Sequence, residues 1–206
     1  MMIRSFLLHP TTTFIAGFAV AVGGVSLLLA SCAASNRSAA ALDDYKRAMQ
    51  QAGDAGPAAG SAEEKAAIAR FGSFLQNIHD AEFVRSNTAL TYAPDAYLND
   101  TLVTHHGVEQ IQAYFLQTSA AMTRYEVTID DIARSGPDIY VRWTMLFAAP
   151  ALSHGEPIQS VGISQVRFDS NGRVAFHQDF WDSGTNFYGQ APVAGNVIEF
   201  IRRRLK

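Results

Sequence analysis

A histidine and an aspartate alternate near the end of the sequence, where they would share one face of a strand. His177, Asp179 and Trp181 are each two residues apart, and residues i and i+2 of a strand point the same way. Neither face of this run is cleanly polar, so we expect both faces to be covered and Asp179 to be partly buried. A carboxylate in such a place needs a partner, and partly buried carboxylates in enzymes transfer protons to and from carbon.

Arg142 is the expected partner of that carboxylate, because it lies within another strand-like run, residues 139–148. An arginine inside a central strand is costly unless it is paired. The sequence therefore predicts an Asp179–Arg142 pair, with Asp179 as a catalytic acid or base. The alternative is a structural acid, bonded to Arg142 or to a backbone amide. His177 is either a second acid/base group or a strand histidine that only bonds or spaces Asp179.

Other kinds of chemistry find little support in the sequence. His105 and His106 are adjacent, and adjacent strand residues face opposite ways, so we expect no metal site. We find neither the Gly-x-Ser-x-Gly motif of serine hydrolases nor a glycine-rich phosphate loop. The formal net charge of -3 argues against a nucleic-acid partner. The expected acid/base chemistry needs no organic or metal cofactor.

The elements that must position these residues follow from hydrophobic periodicity. A capping box at residues 61–64 opens a first helix that we expect to end near Phe83. A second helical stretch ends at Thr91, and the next four residues are expected to form a turn. Gly107 opens a third helix. Four strand-like runs and a last helix follow, at residues 124–133, 139–148, 158–169, 173–181 and 196–205. Helices first and antiparallel strands after predict one α+β domain over residues 61–206.

The N-terminal 31 residues differ in composition from the rest of the chain. They carry one charge, on Arg4, and an uncharged apolar run over residues 11–30, which is typical of an export signal. Residues 29–32, Leu-Ala-Ser-Cys, resemble the lipobox of bacterial lipoproteins. The resemblance implies cleavage before Cys32, the chain's lone cysteine, and its acylation. The alternative is an uncleaved transmembrane helix. Residues 32–60, rich in alanine, glycine and serine, are expected to be a flexible tether with a short helix.

Several later motifs resemble one protein family. They are Tyr92-x-Pro94-Asp95-Ala96, His106-Gly107-x-Glu109-x-Ile111-x-x-Tyr114-Phe115, Arg142-Trp143 and His177-Gln178-Asp179-Phe180-Trp181-Asp182. Over roughly residues 65–190 they resemble SnoaL-like proteins of the nuclear transport factor 2-like (NTF2-like) superfamily. The resemblance implies an α+β cone, in which a strongly curved antiparallel or mixed sheet wraps around helices and leaves a pocket at its open end. It also implies a homodimer formed through the sheet face.

The resemblance does not identify the reaction, because proteins with this fold have many different activities. The epoxide-hydrolase branch uses an Asp-Arg-Asp relay, and Thr144 stands where the second aspartate of that relay would be, which argues against epoxide hydrolysis. Asp95 is either a ligand-binding residue or, because it follows a proline, a turn residue. For Phe115 and Trp181 the alternative is core packing. The expected ligand-binding residues are Tyr92, Asp95, Tyr97, Phe115, Thr144 and Trp181.

Two functions stay open from the sequence. One is an enzyme that performs acid/base catalysis, of an isomerase, cyclase or dehydratase kind, on a small hydrophobic carbonyl compound. The other is a non-catalytic module that binds a hydrophobic ligand or a protein, or serves only to dimerise. In either case the lipidated Cys32 would hold the protein at the cell envelope. Ala33 after the cysteine favours the outer membrane, on its periplasmic face.

The lipid anchor can be tested by labelling. In a bacterial host given a fatty-acid precursor, we expect the full chain to incorporate the label and Cys32→Ser to incorporate none, because the thiol is the acceptor of the diacylglyceryl group. Gel fluorescence of the purified proteins measures the incorporation. Equal labelling of the two chains contradicts the anchor.

Overall fold

The computed structural model describes residues 38–191 and 193–205. The predicted signal peptide, residues 1–31, and Cys32 lie outside the described residues. The chain divides into two units between Arg47 and Ala48, and apart from residues 38–47 the fold described below is that of the second unit. Within the described ranges, no helix has the length and apolar character needed to cross a bilayer.

Within the described residues, three α-helices come before the first two strands, a fourth α-helix follows them, and four strands and two more α-helices come after it. A first helix, α1, covers residues 38–52. The other helices are α2 (Ala62–Gln76), α3 (Ala81–Thr91), α4 (Val108–Ala121), α5 (Ser183–Asn186) and α6 (Ala194–Arg203). The strands are β1 (Tyr92–Asn99), β2 (Thr104–His106), β3 (Arg124–Ser135), β4 (Asp138–Ala148), β5 (Ile158–Phe168) and β6 (Val174–Trp181).

The six strands form one mixed sheet in the order β2-β1-β6-β5-β4-β3. Strands β3 to β6 pair antiparallel in sequence, while β1 pairs parallel with β6. The expected α+β class is therefore confirmed, with helices, a six-stranded mixed sheet and a C-terminal helix. Because β1 comes before the four-stranded meander and pairs with its last strand, β6 lies inside the sheet and β3 forms one of its edges.

Helix boundaries follow local capping. The Ser61 hydroxyl accepts a hydrogen bond from the Glu64 amide at 3.1 Å, and the Glu64 carboxylate accepts one from the Gly60 amide at 2.6 Å, so α2 starts where the capping box predicts. The expected end near Phe83 is wrong. Asp80 accepts hydrogen bonds from the amides of Glu82 and Phe83, which makes it the N-cap of α3 and ends the first helix earlier.

The expected turn after α3 is also wrong, because Tyr92 to Asp95 belong to β1. The pairing of β1 with β6 breaks between Tyr92 and Tyr97. Pro94 has no amide hydrogen to donate, and an irregularity of this kind is where a strand tolerates proline. Pro94 therefore does not produce a turn, and it coincides instead with a break in the pairing of β1 with β6.

The segment before α2 is attached to the sheet. The Arg167 guanidinium donates to the carbonyl oxygens of Met49 and Gly53 at 3.0 and 3.1 Å, at the end of α1. It also bonds both carboxylate oxygens of Asp138, at 2.7 and 3.0 Å, and the two side chains are only 14% and 12% exposed. Burial alone would raise the pKa of Asp138, but hydrogen bonds from Arg167 and Gln165, with the guanidinium charge, hold it below its usual value.

Removing this guanidinium should therefore destabilise the fold in a pH-dependent way. Arg167→Met leaves the Asp138 carboxylate buried without its cation, and we expect a loss of about 3 kcal/mol in the free energy of unfolding at pH 7. Because the folded pKa of Asp138 is depressed, its contribution is present above the unfolded value of about 3.9 and is lost as the pH falls through the folded pKa.

Urea unfolding at pH 7 and at about pH 3 measures both effects. Arg124→Met, which removes an exposed ion pair with Glu126, is the control and should cost about 0.5 kcal/mol or less. A difference between Arg167→Met and wild type that stays constant on acidification contradicts the assignment.

Candidate functional site

A cavity of about 580 Å³ lies between the sheet and the helices α2 and α4. Its wall is mostly apolar and aromatic, which suits a small hydrophobic ligand. Its ionisable and phenolic groups include two sets that are each linked by direct contacts: Asp179 with His177, and Asp100 with Tyr114 and His105. Apolar lining residues include Leu75, Leu98, Phe115, Trp143, Phe147 and Trp181.

One oxygen of Asp179 is held by two hydrogen bonds. Its Oδ1 accepts from the Ser164 hydroxyl at 2.5 Å and lies 2.8 Å from His177 Nε2. The side chain is 15% exposed and lines the cavity. Within the described part of the chain both of these bonds use Oδ1, so Oδ2 is the oxygen that remains available to a ligand.

The tautomer of His177 follows from its two neighbours. A carboxylate only accepts hydrogen bonds, so His177 Nε2 carries the hydrogen that Asp179 receives. The other nitrogen, Nδ1, then accepts from the Tyr92 hydroxyl at 3.0 Å. Burial, followed by the charge of Asp179, raises the pKa of Tyr92 well above its usual value, so the phenol stays protonated. His177 is 1% exposed, and its hydrogen bond to Oδ1 fixes the orientation of the Asp179 carboxylate.

The hydrogen bond from Ser164 to Asp179 depends on a close approach of β4 and β5 at Gly162. Gly162 faces Trp143 across β4 and β5, and a Cβ atom on Gly162 would lie 2.3 Å from Trp143 Cη2. Only glycine lets the indole lie against β5 at this point. From there Trp143 Nε1 donates to the Ser164 hydroxyl at 3.0 Å. Ser164 can therefore point its own hydrogen at Asp179.

The second polar set surrounds Asp100. Its Oδ1 accepts from the amides of Leu102 and Val103, each at 2.9 Å, and its Oδ2 accepts from the Tyr114 hydroxyl. Burial, followed by the charge of Asp100, raises the pKa of Tyr114, so this phenol also remains a donor. The Asp100 carbonyl accepts from Trp181 Nε1 at 2.7 Å, which links the two polar sets through β6.

The structure does not bring Arg142 to Asp179, so the expected ion pair is wrong. Arg142 is exposed on the outer face of β4, where it lies opposite Asp131 and Ile163, while Trp143 fills the inner face. An arginine on the outer face is hydrated and needs no buried partner. Thr144 is likewise exposed, and its hydroxyl donates to Asp130 Oδ2 at 2.7 Å.

The expected ligand-binding residues separate into three groups. Phe115 and Trp181 line the cavity. Tyr92 is fully buried behind His177. The remaining ones lie elsewhere: Thr144 on the outer face, Asp95 exposed and accepting from Gln51 at 3.2 Å, and Tyr97 stacked on Phe176 with ring centroids 5.2 Å apart.

Sequence reasoning missed Ser164, although a signal for it exists. A hairpin centred on residues 171 and 172 pairs residues at equal distance from the turn, and Ser164 and Asp179 stand at equal distance from that centre. The second set, Asp100 with Tyr114 and His105, was missed because its members are brought together only by the packing of β2 against β1 and α4. No three His, Cys, Asp or Glu side chains of residues 38–191 and 193–205 are grouped to hold a metal ion.

Comparisons with known proteins agree on the fold. Residues 86–177 match the family model described as "SnoaL-like domain". A putative SnoaL-like polyketide cyclase from Shewanella putrefaciens CN-32 is 15% identical over 63% of this chain and 96% of its own, with a TM-score of 0.51. TsrD from Streptomyces laurentii is 17% identical over 65% and 97%, with a TM-score of 0.51. No curated protein matches the chain.

A third similar structure is a hypothetical protein with a ketosteroid isomerase-like fold from Catenulispora acidiphila DSM 44928. It is 16% identical over 61% of this chain and 91% of its own, with a TM-score of 0.50. At these identities the likenesses show the SnoaL-like, NTF2-like fold and leave the chemistry to the residues of the cavity.

The buried Tyr92–His177 hydrogen bond can be tested by removing one oxygen atom. Tyr92→Phe keeps the ring but leaves His177 Nδ1 buried without a donor, so we expect a loss of about 1–3 kcal/mol in the free energy of unfolding. Urea unfolding measures it. Tyr188→Phe, at a half-exposed ring, is the matched control and should be near neutral. Equal losses in the two variants contradict the assigned bond.

Proposed function

We propose that the cavity binds a small apolar carbonyl compound and that Asp179 moves a proton to or from a carbon atom next to the carbonyl. The observation that carries this proposal is that the two oxygens of the Asp179 carboxylate have different surroundings. Oδ1 is held by Ser164 and His177, while Oδ2 stays available in an apolar cavity. A base fixed in this way loses little freedom when it meets its substrate.

The proposed step balances within the site. Oδ2 of Asp179 takes a proton from the carbon next to the carbonyl, and the bonding electron pair moves toward the carbonyl oxygen to give an enolate. Asp179 then returns the proton to the same or another carbon as the carbonyl re-forms. Such a sequence isomerises or exchanges protons of the substrate and requires no oxidant or reductant.

His177 and Ser164 serve as positioning residues in this proposal. His177 is buried, and its Nε2 hydrogen points at Asp179, so it holds the carboxylate in place. The hydrogen bond from the Tyr92 hydroxyl to Nδ1 keeps the ring in the tautomer with hydrogen on Nε2. The earlier hypothesis that His177 is itself a second acid or base is less well supported, because its two ring nitrogens are already engaged. Arg142, exposed on the opposite face, has no part in the proposed step.

The comparisons support the general kind of chemistry. The match to the SnoaL-like domain covers β1, α4, β3, β4, β5 and part of β6, which together build most of the cavity. One structural neighbour is described as a putative polyketide cyclase, and another has a ketosteroid isomerase-like fold. The mostly apolar wall of this cavity is compatible with compounds of the polyketide or ketosteroid kind that these descriptions name.

We further propose that Cys32 carries a lipid anchor, that the protein resides at the cell envelope on the periplasmic face of the outer membrane, and that it forms a homodimer. The anchor is supported by the lipobox-like sequence around the lone cysteine. The homodimer is supported by apolar side chains on the outer face of the sheet, since Val161, Ile163 and Phe180 are 60%, 38% and 50% exposed.

Proton exchange on a small ketone tests the function. We expect the full chain to accelerate the exchange of the C1 protons of 2-tetralone into deuterium oxide, as followed by proton NMR. Asp179→Asn should slow the catalysed exchange by at least about 100-fold, because it removes the base and keeps the shape. Asp131→Asn, on the exposed outer side of β3, is the matched control and should exchange at the wild-type rate.

The rival function, a module that only binds a hydrophobic ligand or a protein, gives a different result. In that case 2-tetralone binds to wild type and to Asp179→Asn alike, and neither protein accelerates the exchange. The bonds from Ser164 and His177 would then be structural. Acceleration that survives in Asp179→Asn also contradicts the proposal, because it places the base elsewhere.

A further inference from the structure

The ring of His105 has one nitrogen that the described residues leave without a hydrogen-bond partner. The residue lines the cavity, and its Nε2 atom is buried without a hydrogen-bond partner among the described residues. In β2 it lies opposite Leu98, which also lines the cavity, while His106 lies opposite Tyr97. His105 is therefore on the cavity side of this strand. A buried polar atom without a partner destabilises the fold, and a hydrogen bond from a bound ligand would remove that penalty.

The imidazole is held in place by the second polar set. Its ring lies on Tyr114, with ring centroids 4.6 Å apart, and Tyr114 is in turn hydrogen-bonded to Asp100. Burial lowers the pKa of His105, with a contribution from His106, and outweighs the opposing effect of Asp100. The ring is consequently neutral at pH 7 and offers a donor or an acceptor at Nε2, according to its tautomer.

We propose that His105 Nε2 hydrogen-bonds a neutral oxygen, a hydroxyl or a carbonyl, of the ligand in this cavity, and so determines which apolar molecules bind. A hydroxyl suits either tautomer of the ring, and a carbonyl suits the one with hydrogen on Nε2. An anionic ligand is disfavoured, because the carboxylates of Asp100 and Asp179 line the same cavity. The inference rests on the proposed ligand site but not on the proton transfer.

A pair of probes that differ in one hydroxyl tests this inference. Naphthalene and 2-naphthol are titrated into the full chain by calorimetry, and the ratio of their two dissociation constants is compared between wild type and His105→Phe. We expect the preference for 2-naphthol to be about tenfold greater in wild type, which corresponds to one hydrogen bond. Naphthalene itself should bind the two proteins with affinities that agree within about twofold.

Two further variants separate the oxygen-binding role from shape and from Asp179. His105→Asn keeps a donor and an acceptor and should retain part of the preference. Asp179→Asn should reduce the preference less than His105→Phe does. A preference that is lost in Asp179→Asn and kept in His105→Phe overturns the inference, because Asp179 would then hold the hydroxyl. Absence of any 2-naphthol binding to wild type overturns it as well.

A spectroscopic measurement on the wild-type chain avoids dependence on the variants. The nitrogen-15 resonance of His105 Nε2 should shift when 2-naphthol is added and stay in place when naphthalene is added. Equal responses to the two probes contradict a hydrogen bond to the hydroxyl. If the resonance shifts with 2-naphthol while 2-tetralone exchange is absent, the oxygen site stands and the catalytic proposal fails.

Discussion

The carboxylate of Asp179 is the group on which the rest of the site depends. An acid in an apolar cavity must be held by hydrogen bonds or it destabilises the fold. Here Ser164 and His177 both bond Oδ1, and each is fixed by a further buried donor, Trp143 or Tyr92. Four side chains from four different strands thus support one oxygen, and the other oxygen remains available. The hydrogen bonds that satisfy this carboxylate therefore also leave one of its oxygens available to a ligand.

The cavity carries polar groups of two kinds. Asp179 has one carboxylate oxygen available, whereas Asp100 has both of its carboxylate oxygens engaged, by two backbone amides and by Tyr114. Asp100 therefore stabilises the turn after β1 and fixes the phenol, and the imidazole of His105 rests on that phenol. The apolar wall between these groups favours a ligand that is largely hydrophobic with few oxygen atoms. This combination fits a carbonyl compound better than it fits a charged metabolite.

The incorrect prediction about Arg142 shows what strand periodicity predicts and what it leaves undecided. Alternation correctly divided β4 into two faces, with Arg142 and Thr144 on one and Trp143 on the other. It did not tell which face was inside, because both faces of that strand carry bulky residues. The same uncertainty affected Tyr97 and Asp95, since a break in register within β1 changes which residues point inward. Neighbouring strands and helices decide these directions, and they are far away in sequence.

Local signals determined much of this protein from its sequence. The capping residues, the change from helical to alternating periodicity and the Asn171-Gly172 turn specify the elements, because each depends on contacts within a few residues. They also specify that His177 and Asp179 share a face. Only the tertiary structure decided that Ser164, rather than Arg142, bonds Asp179. It likewise decided that Tyr92 lies behind His177 and that Asp100, Tyr114 and His105 meet. These contacts depend on strand order and on close packing at Gly162, where distant segments exclude water together.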